Sequence, residues 1–210
     1  LYGLLDMVRM PVVTARNAND MIESTFGQYI GRPGTFAQRG ANFAVQTCDF
    51  YLAIGTRLSL AQTGYNAKDY ARNAYKVMVD IDEAELAKDT VPIDLAIQAD
   101  AHCFLRALCD AAKGVTFPDW SEWLGRCKAR QERYPPVTEE QRTQKQYVNS
   151  YHLIERLSAA AGEDVIVTDM GFAFQVTHQA WSVKRGQRLM TNCGLAAMGW
   201  GLPAAIGAAV

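Results

Sequence analysis

The sequence predicts an α/β fold in which a parallel sheet has flanking helices. Three observations support it. Apolar runs of four or five residues recur, helical segments separate them, and turn residues such as Gly55 and Asp82 end two of the runs. Strands that alternate with helices favour parallel pairing, because the helix returns the chain to the same edge of the sheet. With 49% hydrophobic and 20% charged residues, the composition suits a sizeable core.

Residues 1–115 predict a Rossmann-like domain. Residues 1–10 carry apolar side chains at helical spacing and lead directly into a strand, so we expect this domain to be N-terminally incomplete. The predicted strands are the short β-branched run PVVT (Pro11–Thr14), Phe50–Ile54, Val77–Ile81 and a short run within DLAIQAD. A helix with acidic residues in its first turn follows Asp82, and another spans about Ala101 to Ala112.

Residues 116–149 predict a helix and a linker. The helix runs from about Asp119 to Tyr134 and should end at Pro135-Pro136, because proline lacks an N–H donor and restricts the residue before it. The polar run after the two prolines is typical of a linker between domains.

Residues 150–210 predict the opening of a second α/β unit. A helix and Gly162 precede a strand from Val165 to Thr168, which leads into Asp169-Met170-Gly171. About 60 residues hold too few strands for a doubly wound domain, so we expect this unit to be C-terminally incomplete.

Charge and cysteine content exclude several classes of function. The net charge is −1, with 21 basic and 22 acidic residues, so we expect no nucleic-acid partner and no acidic membrane surface as a partner. The five cysteines include no C-x-x-C pair, which favours free thiols in the reducing cytoplasm. No basic segment followed by an apolar one opens the sequence, so we expect no signal peptide.

The segment from Leu189 to Val210 has no charged side chain. Its glycines and Pro203 lower helix propensity across its centre, so we predict a buried loop that leads into a buried helix near Pro203 rather than a membrane span. Small residues would admit a second backbone or a flat ligand, and Met198 is an adaptable apolar side chain among them. Tight helix packing alone would explain the same composition.

Three further positions have both a functional and a structural explanation. Asp80 and Asp82 follow a strand, where an acidic residue often binds a ribose hydroxyl, but Asp82 could simply cap the next helix. We favour the cap because no G-x-G-x-x-G precedes it. Arg57 lies just past another strand end, where it could bind a phosphate or form a surface salt bridge.

Histidine spacing and nucleophile motifs provide little evidence for a catalytic or metal site in this sequence. His102, His152 and His178 lack the spacing to cysteines or carboxylates that a metal site requires, so we predict no metal site in this chain. His178 alone keeps a candidate function, since it follows the strand end at Asp169. No G-x-S-x-G elbow and no Walker loop occurs.

Three stretches resemble segments of the acetolactate synthase-like family of thiamine diphosphate enzymes. NCGLAAMGWGLPAAIGA resembles the family's S-G-G-L-G-x-M-G-F-G-L-P-A-A-I-G-A, and VIVTDMGFAFQVTHQAW resembles the strand and turn that open its diphosphate-binding domain. QRGANFAVQTCDFYLAIGTRLS with VMVDIDEAELAK resembles its central domain. The resemblance implies a central domain in residues 1–115 and the start of the thiamine diphosphate-binding domain in 150–210.

The resemblance also implies a cofactor site between two subunits, hence at least a homodimer. It makes Met198 the wedge under the bent cofactor, with the backbones of Ala196 and Met198 against the aminopyrimidine ring. The remaining cofactor-binding residues that it implies are Gly171, Phe172, Ala173, Gly194 and Gly199. The cofactor would provide the electron sink for decarboxylating a 2-oxo acid such as pyruvate, and the resulting carbanion would pass to an acceptor that the sequence does not specify.

This chain departs from the family pattern in several places. Gly171-Phe172-Ala173-Phe174 stands where many acetolactate synthases have G-Q-H-Q, so phosphate contacts there would have to come from backbone N–H groups. By the resemblance, the activating glutamate belongs to an N-terminal domain, and the G-D-G…N motif that binds Mg²⁺ should lie beyond Val210. No catalytic residue is therefore expected in this chain. The central domain carries FAD in some relatives, where Arg57 and Asp80 would contact it.

Three hypotheses follow. The first is a piece of a thiamine diphosphate-dependent carboligase or decarboxylase, inactive by itself. The second is a non-catalytic remnant or interaction module, and the third is a nucleotide-binding module that uses residues 1–115 alone. We favour the first, because the three stretches occur in the family's order.

Overall fold

Every strand of the protein belongs to a small parallel sheet. The computed structural model describes all of residues 1–210. The strands are β1 (Val12–Val13), β2 (Tyr29–Gly31), β3 (Phe50–Ile54), β4 (Tyr75–Asp80), β5 (Leu95–Gln98), β6 (Val165–Val167) and β7 (Arg188–Met190). They pair as β1-β2, β3-β4-β5 and β6-β7, and each pairing is parallel. Parallel sheets with flanking helices confirm the predicted α/β class.

Ten helices connect and cover these strands. They are α1 (Tyr2–Val8), α2 (Arg39–Thr47), α3 (Leu60–Thr63), α4 (Glu83–Leu86), α5 (Ala101–Ala112), α6 (Ser121–Arg133), α7 (Glu139–Thr143), α8 (Ser150–Ala160), α9 (Phe172–Ala180) and α10 (Gly201–Ala209). Short 3₁₀ turns occupy residues 16–18 and 67–69. No helix combines the length and the apolar character that crossing a bilayer requires.

The central strand β4 carries much of the core of the three-stranded sheet. Met78 and Val79 are almost completely buried. The largest hydrophobic cluster gathers around this sheet and contains Val45, Tyr51, Ala53, Leu58, Tyr70, Ala71, Ala74, Met78 and Val91. A strand between two neighbours, with helices on both faces, needs apolar residues in succession, and Val77, Met78 and Val79 supply them.

Several predicted elements are confirmed, with shifted ends. The strand predicted at Val77–Ile81 begins two residues earlier as β4, and Ile81 is exposed. The helix α5 has the predicted bounds, and Asp100 caps it by accepting the N–H of Cys103 at 2.9 Å. The helix α6 ends at Arg133, before the two prolines as expected.

The linker prediction was incomplete, because the polar run after the prolines contains α7. Thr138 accepts the N–H of Gln141 at 3.4 Å, and the Gln141 side chain accepts the N–H of Thr138 at 2.8 Å. This reciprocal capping box stabilises a short helix whose residues are all polar. Polar composition alone had indicated a linker.

Six helices and strands had no sequence prediction: β2, α2, α3, α7, α9 and β7. The helix α2 packs against α6, and its Ala44 lies in one buried cluster with Cys127 of α6. A Cβ on Gly40 would lie 2.8 Å from the Gln131 Cα, so only glycine permits this approach of the two helices. The buried positions of α2 recur at helical spacing, but three of the four are glycine or alanine, which give a weak apolar signal in the sequence.

Polar contacts join the β1-β2 pair to the C-terminal part of the chain. The Ser24 N–H donates to the Val183 carbonyl at 2.8 Å, and the Val183 N–H donates to the Ser24 Oγ at 2.9 Å. Asp20 accepts from the Arg188 Nε at 2.9 Å. Residues that are about 160 positions apart in sequence are therefore neighbours.

Candidate functional site

The strand β6 ends where two separate glycine-containing segments meet. The Asp169 carboxylate, just after β6, accepts the N–H of Gly199 at 3.0 and 3.2 Å and the N–H of Met170 at 2.7 Å. A Cβ on Gly201 would lie 2.9 Å from the Asp169 backbone nitrogen, so glycine is needed there. These contacts hold the tail segment against the carboxyl end of the strand, where ligands bind in open α/β sheets.

The second feature of the site is the N-terminal end of α9. Its N-cap is Gly171, with φ of 74°, and no side chain caps the first turn or places an acidic group there. Phe172 and Ala173 are exposed. A Cβ on Gly171 would meet nothing within 4 Å. The first N–H groups of a helix lack intrahelical partners and carry partial positive charge, so this open end can bind an anionic group.

The third feature is the tail itself, which forms an exposed turn rather than the predicted buried loop. Met198 is 93% exposed and Leu195 is 87% exposed. Ala196 has φ of 56°, and its N–H donates to the Asn192 carbonyl at 2.8 Å. A Cβ on Gly194 would meet nothing within 4 Å. The surface around Met198 is therefore open to a flat ligand.

The helix at the end of the chain also differs from its prediction. It begins at Gly201 instead of Pro203, and Leu202 and Ile206 are largely exposed. Because apolar composition was the only signal for burial, the sequence could not distinguish a core helix from one whose apolar face lies on the surface of this chain.

The Phe174 side chain turns into the interior behind this site. Its ring stacks on His178 with centroids 5.4 Å apart, and the Arg16 guanidinium lies 5.0 Å above the Phe174 ring. His178 is 1% exposed. Burial, together with the positive charges of Arg32 and Arg16, lowers the pKa of His178 to about 3. The imidazole is therefore neutral at physiological pH. It belongs to the buried face of α9 and does not lie at the strand end where its candidate function was expected.

The three other candidate residues, Arg57, Asp80 and Asp82, lie at or just after strand ends of the β3-β4-β5 sheet. Arg57 forms a salt bridge with Glu85, with Nε 3.3 Å from Oε1. Asp80 accepts the N–H of Asp82 at 3.1 Å, and Asp82 caps α4 by accepting the N–H of Ala84 at 2.9 Å. The structural explanation is therefore observed for Arg57 and Asp82. The remaining candidates follow β6, on a different sheet.

The donor set at the end of β6 fits a phosphate-bearing, flat cofactor. It offers the uncapped amides of α9, open space beside Gly171 and Gly194, and the exposed thioether of Met198. The hydroxyl of Thr168, buried at the same strand end, has no hydrogen-bond partner within the protein. No three His, Cys, Asp or Glu side chains come together as a metal site would require.

Comparison with known families decides the identity of this arrangement. The family model "Thiamine pyrophosphate enzyme, central domain" matches residues 1–108. The chain belongs to the thiamine pyrophosphate enzymes. A second model, "Thiamine pyrophosphate enzyme, C-terminal TPP binding domain", matches residues 169–210. This match begins at Asp169 and contains both segments that meet at the end of β6. The resemblance noted in the sequence is thus confirmed.

Relatives of this thiamine pyrophosphate enzyme chain include acetolactate synthase large subunits. The protein of that name from Cyanidium caldarium is 32% identical over 99% of this chain and 35% of its own length. The isozyme 2 large subunit from Escherichia coli strain K12 is 30% identical over 100% of this chain and 36% of its own length. The chain therefore spans about a third of the length of these relatives. The comparisons do not favour a remnant or a nucleotide-binding module.

Sequence reasoning missed two residues of this thiamine pyrophosphate enzyme chain that the structure makes prominent. Asp169 was noted only as the end of a strand, although an acidic residue immediately before a glycine turn could have indicated a backbone-binding role. Arg32, in GRPG, gave no signal, because an arginine beside a proline and glycines is typical of an exposed loop. Its buried position depends on α9, which lies far away in sequence.

Proposed function

We propose that this chain is part of a thiamine diphosphate-dependent carboligase that decarboxylates a 2-oxo acid such as pyruvate and transfers the resulting carbanion to an acceptor. One observation carries the proposal. The Asp169–Gly199 contact brings the uncapped end of α9 beside the exposed Met198 tail. Relatives named as acetolactate synthase large subunits support the choice of substrate class.

In this proposal the chain's own residues bind and orient the cofactor. The backbone N–H groups of Phe172 and Ala173, after the turn at Gly171, hold the diphosphate. The turns at Gly194 and Gly199 and the small Ala196 leave room for the aminopyrimidine ring. The exposed Met198 side chain would contact the bound cofactor as an adaptable apolar support. When bound, the cofactor supplies the electron sink for decarboxylation.

Other properties of the whole protein are part of the same proposal. Mg²⁺ would accompany the diphosphate, with ligands outside this chain, and the functional unit would be at least a homodimer. Any FAD would bind near Arg57 and Asp80, where the Arg57 side chain pairs with Glu85 in this structure. The five cysteines are free, which supports a cytoplasmic location. The division into 1–115, 116–149 and 150–210 stays a prediction.

The test uses protein expressed from the complete reading frame that contains this chain. Titration calorimetry with thiamine diphosphate and Mg²⁺ should show saturable binding, and pyruvate should release carbon dioxide only in the presence of the cofactor. An Arg57→Ala variant should bind thiamine diphosphate as the unaltered protein does, because Arg57 lies on another sheet. No saturable binding by the complete protein would overturn the proposal.

A further inference from the structure

Arg32 is fully buried, yet its guanidinium faces carbonyl groups rather than a carboxylate. Its Nη1 donates to the His178 carbonyl at 2.7 Å and its Nη2 to the Trp181 carbonyl at 2.6 Å. The Nε lies 3.4 Å from the hydroxyl of Tyr29. The exposed fraction of Arg32 is 0%, and no aspartate or glutamate forms a salt bridge with it.

The partners of Arg32 explain how its charge is tolerated. His178 and Trp181 lie at the C-terminal end of α9, where the last intrahelical bond runs from the Trp181 N–H to the Thr177 carbonyl at 2.9 Å. The last carbonyls of a helix lack intrahelical partners and carry partial negative charge. The buried guanidinium and the buried helix end therefore stabilise each other, whereas either alone would be costly.

Gln38 provides a second contact with the same helix end. Its Nε2 donates to the Gln179 carbonyl at 2.8 Å, and its Oε1 accepts the backbone N–H of Arg32 at 3.1 Å. A Cβ on Gly31, whose φ is 115°, would lie 2.0 Å from that Oε1, so glycine is required for this geometry. We call the side chains of Arg32 and Gln38 the α9 clasp. Together they bind three carbonyls and limit both rotation and tilt of the helix.

The two ends of α9 are close enough for the clasp to influence both. The helix has nine residues. At about 1.5 Å per residue it is about 14 Å long, so a small tilt at one end moves the other end. A cation at the C-terminal end also offsets the negative end of the helix dipole. The electrostatic potential at Gly171, at the other end, is therefore more positive than it would be without the cation.

We propose that Arg32 is a positioning residue for the cofactor: through the α9 clasp it fixes the helix end that binds the diphosphate. This inference rests on the proposed function. It assigns to the segment around β2 a part in cofactor affinity, although that segment is remote in sequence from the cofactor-binding residues.

The experiment measures the Kd of thiamine diphosphate by titration calorimetry with Mg²⁺, in protein from the complete reading frame. Arg32→Met should raise the Kd by about tenfold, because the helix end loses both its charge partner and two hydrogen bonds. At saturating cofactor, kcat should change much less than the Kd. Arg32→Lys keeps the charge and should recover part of the affinity. Gln38→Met should give an intermediate Kd.

Arg130→Met is the matched control. Arg130 donates to the Thr47 hydroxyl at 2.7 Å and connects α6 to α2 without contacting α9, so this variant should keep the unaltered Kd. A residue that only supported folding would lower the melting temperature and the folded fraction without changing the Kd of the folded protein.

Three results would overturn the inference. An unchanged Kd in folded Arg32→Met is the first, and equal increases in Arg32→Met and Arg130→Met are the second. If Arg32→Met does not fold, unchanged Kd values in both Arg32→Lys and Gln38→Met are the third. Absence of binding in the unaltered protein is a separate result, because it overturns the proposed function itself and this inference with it.

Discussion

The Asp169 carboxylate accepts the backbone N–H of Gly199 at 3.0 and 3.2 Å, across 30 positions of sequence. This contact joins the turn that opens α9 to the exposed tail that carries Met198. Both segments contain glycine, and the close approach of Gly201 to the Asp169 backbone adds a second contact between them.

Removing the Asp169 carboxylate should free the tail. We expect Asp169→Ala to destabilise the tail by about 1 kcal/mol, since hydrogen bonds to a charged acceptor are lost. Hydrogen exchange of the Gly199 amide should then accelerate by roughly fivefold. Asp169→Asn keeps one acceptor oxygen and should show a smaller change. Equal exchange rates in all three proteins would show that the contact does not restrain the tail.

Gly201 and Gly207 lie in the same helix and should respond in opposite directions to alanine. A Cβ on Gly201 would lie 2.9 Å from a backbone atom of Asp169, whereas one on Gly207 would meet nothing within 4 Å. Gly201→Ala should therefore cost about 1–3 kcal/mol in the free energy of unfolding. Gly207→Ala should gain up to about 1 kcal/mol, because alanine favours the helix. Guanidinium unfolding measures both, and a neutral Gly201→Ala would contradict the close approach.

Met198 should matter to the cofactor and not to the fold. Its side chain is 93% exposed, so Met198→Ala should change the free energy of unfolding by no more than about 0.5 kcal/mol. If Met198 supports the bent cofactor, carboligase activity of the complete protein should fall by on the order of 100-fold, because the reacting groups lose alignment. Ile206→Ala, also exposed, is the control and should keep its activity. Loss of activity in both variants would point to a general surface effect.

His178 should make stability depend on pH in the acid range. Burial lowers its pKa to about 3 in the folded protein, below the ordinary value of 6.5. Between these two values the unfolded state binds a proton that the folded state does not. The contribution of the neutral His178 to the free energy of unfolding is therefore fully present above pH 6.5. It falls as the pH drops toward 3, by at most about 1.4 kcal/mol per pH unit.

Urea unfolding between pH 3 and pH 7 measures this effect, and His178→Asn removes the titrating group. The slope of stability against pH should be shallower in that variant than in the unaltered chain. His102→Asn, at an exposed position of α5, controls for the loss of a histidine. Identical slopes in His178→Asn and the unaltered chain would mean that the imidazole titrates normally when folded.

Residues 1–210 alone should not turn over pyruvate. By the family resemblance, the activating glutamate and the Mg²⁺-binding motif are not among them, so the cofactor lacks two of the groups that it needs. A coupled assay for carbon dioxide, with the protein from the complete reading frame as positive control, measures this directly. Steady turnover by the isolated chain would prove the prediction wrong.

The fold was predicted best where local signals were strong. The strand Phe50–Ile54 and the helix Ala101–Ala112 were found with their observed bounds, because apolar runs, a following glycine and a capping aspartate define them locally. The element β2 was missed because it has only three residues, which are placed by contacts with α6 and with the residues around α9. The helix α2 was missed although its buried residues recur at helical spacing, because glycine and alanine give a weak apolar signal.

The residues of the candidate site were also predicted where local signals were strong and missed where distant contacts decide their position. The glycines and Met198 were found from their composition and their family pattern, and the structure gathers them at the end of β6. Their exposure was not predicted, since apolar composition alone does not distinguish a buried segment from one on the surface. The prediction placed His178 near the strand end. Its distance in sequence from Asp169 does not reveal that its side chain points from α9 into the protein interior.

The sequence by itself determined the α/β class, the order of the main elements and the family, because hydrophobic periodicity, turn residues and the spacing of motif residues are local properties. Only the tertiary structure decided that Asp169 holds Gly199, that Arg32 binds the far end of α9, and that His178 is kept neutral. Each depends on a buried or charged group meeting a backbone partner or neighbour 30 or more positions away. Such partners are chosen by packing and by the need to satisfy buried polar groups, which no local pattern encodes.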